Sequence, residues 1–342
     1  MVSRIIDLLT RYYEEDLEDS CRTFKVIVVG RTGVGKSHLV NTLMGEYVVE
    51  EGQDLDPCTS TVSKHEKRIG RTRVTVWDSP GLQDGHHEDE VYLNRIKPVL
   101  REIDVMLYCI KMDDTRFIEN EVNAIRAISS LDRDIWRRTA VILTFANKVR
   151  NQEDEIDIDH FRIKKEQWKS KVTNVLMECA VSYYADVPFV PAGHRNRPEL
   201  PSTDDWVSDF WLEVFRASNP SRRLILMAIN QQRLTFGGPQ PHPGPEPAAQ
   251  RYSSGHPLRR YHPYLTHHRS EPGPANIANA SVFPPILISE PTQQLFFNLL
   301  GEGLKEMGTG VVKGCKEVLG MVEKGVGMVG KGVGKALQWL FD

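Results

Sequence analysis

The sequence predicts an α/β fold with a doubly wound, mostly parallel sheet, and three observations carry that prediction. From Phe24 to about Asn230, short apolar runs of strand length alternate with amphipathic stretches, as a parallel sheet built from βα units requires. The first run, Phe24–Val29, leads directly into a glycine-rich octet, Gly30-Arg31-Thr32-Gly33-Val34-Gly35-Lys36-Ser37. A later run, Val74–Trp77, ends on Asp78-Ser79-Pro80-Gly81. Short connections and right-handed crossovers then place the ligand loops at the C-terminal ends of the strands.

In chain order, residues 1–22 are expected to form an N-terminal helix. They begin apolar but continue Arg11-Tyr12-Tyr13-Glu14-Glu15-Asp16, without the cleavage region of a signal peptide. The expected strands are Phe24–Val29, Val62–Ile69, Val74–Trp77, Val105–Ile110, Val141–Phe145 and Pro188–Pro191. Expected helices occupy 37–45, 88–102, 116–131, 157–182 and 205–217, which makes 23–232 one domain. Residues 237–285 hold 11 of the 20 prolines and five of the 11 histidines. Such a segment buries too little apolar surface to offset chain entropy, so 233–290 is expected to be a disordered linker. Residues 291–342 are expected to form a C-terminal helical segment.

Composition narrows the function. A net charge of −3 gives no case for nucleic acid as a partner. The five cysteines are scattered singly, which indicates neither a disulfide framework nor a zinc site. No apolar run approaches 18 residues, so no conventional membrane span is expected. These features point to a reducing, cytoplasmic compartment.

The octet is G-x-x-x-x-G-K-S closing a strand. Its glycines let backbone N–H groups curl around phosphate, Lys36 neutralises the β/γ-phosphates, and the Ser37 hydroxyl is placed to ligate Mg²⁺. A nucleoside triphosphate is the expected ligand. The strand ending Asp78-x-x-Gly81 lies 42 residues after Lys36. In a P-loop protein this second element supplies an Asp to the Mg²⁺ shell and a Gly whose N–H meets the γ-phosphate.

These residues, with Asn41-Thr42-Leu43-Met44-Gly45-Glu46, Trp77–Leu82 and Val105–Tyr108, resemble the septin-like branch of GTPases. That branch includes the immunity-associated (IMAP-type) GTPases and the chloroplast-import Toc receptors. The resemblance covers roughly residues 22–230 and stops before the linker and tail. It implies a P-loop NTPase G domain that binds GTP or GDP with Mg²⁺ through Gly30–Ser37, His38, Asp78 and Gly81. A switch-I threonine is expected to reach Mg²⁺, with Thr59 fitting the spacing best and Thr61 second. Asn147 and Lys148 match the base-reading Asn/Thr-Lys-x-Asp, but Arg150 stands where the acid belongs. That departure leaves an ATPase open as an alternative. Ala192 and Gly193, after the last strand, resemble the second base-contacting loop.

The position after Asp78-x-x-Gly81 is Leu82, with Gln83 one further on. An apolar residue cannot orient the attacking water, so slow intrinsic hydrolysis is expected, with Lys36, Thr59, Gly81 and Gln83 as the catalytic set. Septin-like relatives dimerise across the nucleotide face, and Arg31, His86 and His87 are candidates to supply charge or accept a proton there. A nucleotide-holding scaffold without turnover is the rival reading.

The tail repeats Val-x-Lys-Gly at Val311, Val322 and Val329. On a helical wheel Lys313, Lys324, Lys331 and Lys335 fall within about 40° of one another, opposite a broad valine and leucine stripe. Eight glycines from Gly310 to Gly334 oppose helix formation in water. Residues 310–341 are therefore expected to become helical on an anionic membrane surface, placing the protein peripherally on an intracellular membrane.

Overall fold

The computed structural model describes residues 9–10, 22–31, 33–51, 63–78, 96–114, 119–151, 153–237 and 283–306. The N-terminal helix expected over 1–22 lies outside these apart from its helical pair Leu9 and Thr10. Residues 238–282 and 307–342, with the valine–lysine–glycine repeat, also lie outside them.

The architecture is an α/β sandwich around a six-stranded sheet ordered β2-β3-β1-β4-β5-β6. The strands are β1 (Thr23–Val29), β2 (Ser63–Ile69), β3 (Thr72–Asp78), β4 (Val105–Lys111), β5 (Thr139–Thr144) and β6 (Phe189–Pro191). All neighbours run parallel except the β2–β3 pair. The central strands β1, β4 and β5 are apolar and buried almost throughout, as sheets covered on both faces must be. Strand β2, at the edge, alternates half-buried and exposed residues and displays Lys64, Glu66 and Arg68 outward. Charge on an open edge discourages pairing with another chain.

The helices are α1 (Lys36–Met44), α2 (96–102), α3 (Glu119–Leu131), α4 (Ile158–Glu178), α5 (Trp206–Ala217) and α6 (Arg223–Asn230). The crossover through α1 runs leftward along the sheet from β1, and those through α2, α3 and α4 run rightward. Right-handed connections therefore put α1 on one face and the other three on the opposite face. Helices α5 and α6 pack with α1 over β1, β4, β5 and β6, while α3 packs on α4. Carboxylates cap the helix starts: Asp157 accepts from the N–H groups of Asp159 and His160, and Asp205 from that of Ser208.

Beyond β6 the stretch expected as a disordered linker over 233–290 is corrected at both of its ends, where residues 234–236 and 286–288 form strands, and the expected C-terminal helical segment begins as a helix. Strands β7 (Leu234–Phe236) and β8 (Ile286–Ile288) pair in parallel, and helix α7 (Glu290–Glu306) lies against α6 and the turn at Pro220–Arg222. Phe296 stacks on Phe215 at 5.2 Å and meets Phe236 at 5.7 Å and Phe297 at 5.2 Å. Trp211 stacks on Phe215 at 5.0 Å. The three-residue strands are too short to show a period in the sequence. Among the described residues, no helix is long and apolar enough to cross a membrane.

Candidate nucleotide site

The C-terminal ends of β1, β3, β4, β5 and β6 open on one edge of the sheet, and the glycine-rich octet starts there. Gly30 follows β1 directly and passes so close to β4 that a Cβ would lie 2.5 Å from the Cys109 carbonyl oxygen. Only glycine permits that approach. Gly35 sits at φ 83° as the residue before α1, a left-handed conformation that turns the chain into the helix. The first N–H groups of α1 have no partner within the helix and face the loop, which makes an anion site. Val34 is buried and anchors the loop from beneath.

Lys36 opens α1, and its Nζ donates to the carbonyls of Gly30 and Arg31, both at 3.2 Å. The same Nζ stands 3.7 Å from Asp78 Oδ1. The parallel register, with Val28 opposite Asp78, delivers that carboxylate beside the loop. Ser37 follows in the first turn of α1. A hydroxyl and a carboxylate beside a helix N-terminus form a hard oxygen donor set that fits Mg²⁺ together with phosphate oxygens. Lys36, Ser37 and Asp78 would hold the metal–phosphate group, and Gly30, Gly33, Val34 and Gly35 would wrap it. The sequence candidates Thr32, Thr59, Gly81 and Gln83, and also Leu82, His86 and His87, lie outside the described residues.

Arg31 is already engaged. Its Nη2 pairs with Asp114 just after β4, and its Nε lies 3.1 Å from Glu121 Oε1 on α3. Burial pushes the Glu121 carboxyl up, while the Arg31 charge pulls it back. Tyr108 Oη donates to the other Glu121 oxygen at 3.2 Å. The pairing staples the octet to β4 and α3, so the Arg31 guanidinium is committed within its own chain.

At the base end, β5 stops at Thr144, and Phe145 follows in a left-handed conformation, φ 55°. A short 3₁₀ turn, Ala146–Lys148, comes next. The Ala146 N–H donates to Ala192 O at 3.0 Å, and the Ala192 N–H donates to Leu143 O at 2.8 Å. These bonds carry the β5–β6 ladder past the strand ends and bring the two expected base loops side by side. A Cβ on Gly193 would stand 3.4 Å from Asn147 Cβ, so Asn147 borders the second loop. Lys148 is exposed and covers the Phe145 ring, its Nζ 4.4 Å from the centroid. Arg150 is exposed and folds back onto the carbonyls of Asn147 and Val149 at 3.0 and 2.9 Å. The residues that leave β5 are Thr144-Phe145-Ala146-Asn147, so the matched pair Asn147-Lys148 sits at the end of the turn that follows the strand. Asn147 stands beside Gly193.

His38 does not open onto the octet alone. Its Nε2 accepts from the Arg195 N–H at 3.2 Å, and its Nδ1 lies 3.3 Å from Glu51. Sequence reasoning singled out neither Glu51 nor Arg195. Arg195 stands two residues past Gly193, yet its partners are 144 and 157 positions away in the chain.

Comparison with known proteins agrees with this geometry. Residues 24–184 match the model of the AIG1 family. Translocase of chloroplast 34 from Arabidopsis thaliana is 26% identical over 257 residues, covering 70% of this chain and 77% of that protein. Its homolog from Chlamydomonas reinhardtii is 36% identical over 139 residues, 36% of this chain and 35% of that protein. A solved structure of chloroplast translocon components, atToc33 and psToc159, superposes with a TM-score of 0.50 at 22% identity. It covers 63% of this chain and 89% of that one, and is described as showing that dimerization is important for GTPase activity. That likeness is one of fold.

Proposed function

From the premise that residues 24–184 of this chain are a P-loop GTP-binding domain of the AIG1 family, we propose that the protein is a Mg²⁺-dependent GTP-binding switch and slow GTPase. The observation that carries this reading is Lys36 Nζ, at the start of α1, standing 3.7 Å from Asp78 at the end of the parallel neighbour of β1, with Ser37 next in the chain. Bound Mg²⁺·GTP supplies the polarised phosphate to be cleaved. Lys36 holds the charge of that phosphate, Ser37 and Asp78 position the cation, and the glycines admit the backbone close to it. Arg31 is held by Asp114 and Glu121, and the residue after Gly81 is the apolar Leu82, so neither of these two positions orients water or offsets developing charge.

Completion of the site by a second copy across the nucleotide face follows as the natural route. The importance of dimerization stated for atToc33 and psToc159 supports it. The base is guanine, read by Asn147 and the Ala192-Gly193 loop. Residues 310–341 are the element that engages an anionic membrane. The second reading, a scaffold that holds nucleotide without turnover, draws on that same commitment of Arg31.

Titration with a fluorescent GTP analogue in Mg²⁺ tests the core claim. Binding is expected in the micromolar range or tighter, with a loss of about a hundredfold or more in Lys36→Ala, because a charge-assisted phosphate contact disappears. Undiminished affinity in Lys36→Ala overturns the phosphate assignment. Hydrolysis per molecule is expected to rise with protein concentration. A flat specific rate over a wide range overturns completion by a partner, and no turnover at any concentration selects the scaffold.

A further inference from the structure

Arg195 joins four separate parts of the chain. Its backbone N–H donates to His38, one position past Ser37 on α1. Its Nη1 donates to Glu51, the last described residue before the stretch that carries Thr59. Its Nη2 donates to Tyr47 Oη at 2.9 Å. The guanidinium also faces the Phe283 ring, 4.8 Å from the centroid, where the chain returns to the body ahead of β8. The Arg195 side chain is only 10% exposed, while its partners Glu51 and Tyr47 face solvent.

Glu51 is the hub on the other side. It accepts from Asn41 Nδ2 at 2.9 Å as well as from Arg195, and Asn41 Oδ1 accepts the N–H groups of Val48 and Val49. Burial alone would raise the Glu51 carboxyl, but bonds from Asn41, Arg195 and His38 hold it below its usual range. Burial holds His38 below its ordinary value, so its ring is neutral near pH 7. A neutral ring that accepts at Nε2 carries its proton on Nδ1 and donates to Glu51. Every member of the cluster has a defined direction of hydrogen bonding, so it behaves as one rigid unit.

We propose that Arg195 is a positioning residue that couples the base-reading loop to the entry of switch I and thereby sets the rate of nucleotide release. The loop carrying Gly193 cannot swing away from the base without pulling Arg195 off Glu51, and Glu51 holds the chain to Asn41 of α1 immediately before the stretch that carries Thr59. Opening at one end of the nucleotide therefore loosens the other. A lysine at 195 can pair with Glu51 but cannot reach Tyr47 with the same fork. This proposal rests on the reading of the site as a GTP-binding one.

The test measures dissociation of mant-GDP, chased by excess GTP in Mg²⁺, from the full-length chain. The variants are Arg195→Ala, Glu51→Gln, the double variant and Arg195→Lys. Arg195→Ala and Glu51→Gln are each expected to speed release by about fivefold to tenfold, the loss of one charge-assisted hydrogen bond. The double variant is expected to release no faster than the single ones, since both remove one shared link. Arg195→Lys is expected to recover part of the slow release. Release within about twofold of the parent in Arg195→Ala overturns the coupling, as does a double variant whose effect is the product of the two. If Arg195→Ala does not fold, Glu51→Gln against the parent decides, and an unchanged rate there overturns it. A parent protein that binds no mant-GDP instead overturns the nucleotide reading.

Discussion

Replacing Gly303 by alanine tests whether α7 belongs to the body of the domain, because the two alternatives predict opposite signs. In an isolated or undocked helix, alanine in place of glycine stabilises by about 1 kcal/mol through backbone propensity. In the folded structure, α7 crosses the turn at Pro220–Arg222, and a Cβ on Gly303 would stand 2.4 Å from the Pro220 carbonyl oxygen. That obstacle is backbone, so no side-chain rotation relieves it. The turn is itself pinned, since the Asn219 N–H donates to Asp104 O at 2.7 Å. The helix must retreat by close to an ångström. Retreat strains the bonds from Arg223 Nη1 to Leu299 O at 3.0 Å and to Glu302 Oε2 at 2.7 Å. Overpacking of this kind costs about 1–3 kcal/mol, and the upper part of that range applies when the clash is with backbone. After the propensity gain, a net loss of about 1–2 kcal/mol is expected. Urea denaturation of the full chain reads it directly, and thermal melting should fall by about 2–4 °C per kcal/mol. A Gly303→Ala protein as stable as its parent, or more stable, refutes the docking.

Three further outcomes follow from particular residues. Because Asn147 offers one acceptor and one donor group where a carboxylate would accept twice, GTP is expected to outcompete ATP by at least about tenfold, while XTP competes within about tenfold of GTP; equal competition by ATP refutes the guanine assignment. Asp104 accepts the Lys25 N–H at 2.7 Å, and burial raises its carboxyl from 3.8 to about 6. The folded state therefore holds its proton more tightly than the unfolded chain, and this stabilisation is present below about pH 4 and lost as pH rises through about 6. Asp104→Asn cannot titrate, so its urea-derived stability relative to the parent is expected to improve by up to about 3 kcal/mol between pH 4 and pH 7, and a constant difference refutes the shift. A peptide spanning 310–341 is expected to be unordered in buffer by circular dichroism and helical on anionic vesicles, with Val322→Ser, Val329→Ser and Val333→Ser together abolishing co-sedimentation; a peptide helical in buffer and indifferent to lipid refutes the membrane role.

Much of the central sheet was legible because its signals are local. Apolar runs such as Phe24–Val29 and Val105–Ile110 are buried on both faces and need no partner to be recognised. The glycines of the octet and Asp78 at a strand end are likewise set by neighbours in the chain. The base end was less legible, because its register depends on where β5 stops. The pair Asn147-Lys148 matches a motif by letters, but the strand ends at Thr144, and the ladder through Ala146 and Ala192 decides which residue borders Gly193.

Sequence alone established the fold class and the succession of strands in the central sheet, and it marked Gly30–Ser37 and Asp78 as candidates for phosphate and Mg²⁺, since each rests on periodicity or on short-range spacing. Only the tertiary structure decided that Arg31 is spent on Asp114 and Glu121, that Arg195 meets Glu51 and His38, and that α7 packs through Phe296 and Phe297. Those contacts join residues tens to more than a hundred positions apart. No local pattern encodes such pairs, because the chain must first form the sheet before its loops and returning helix come within reach of one another.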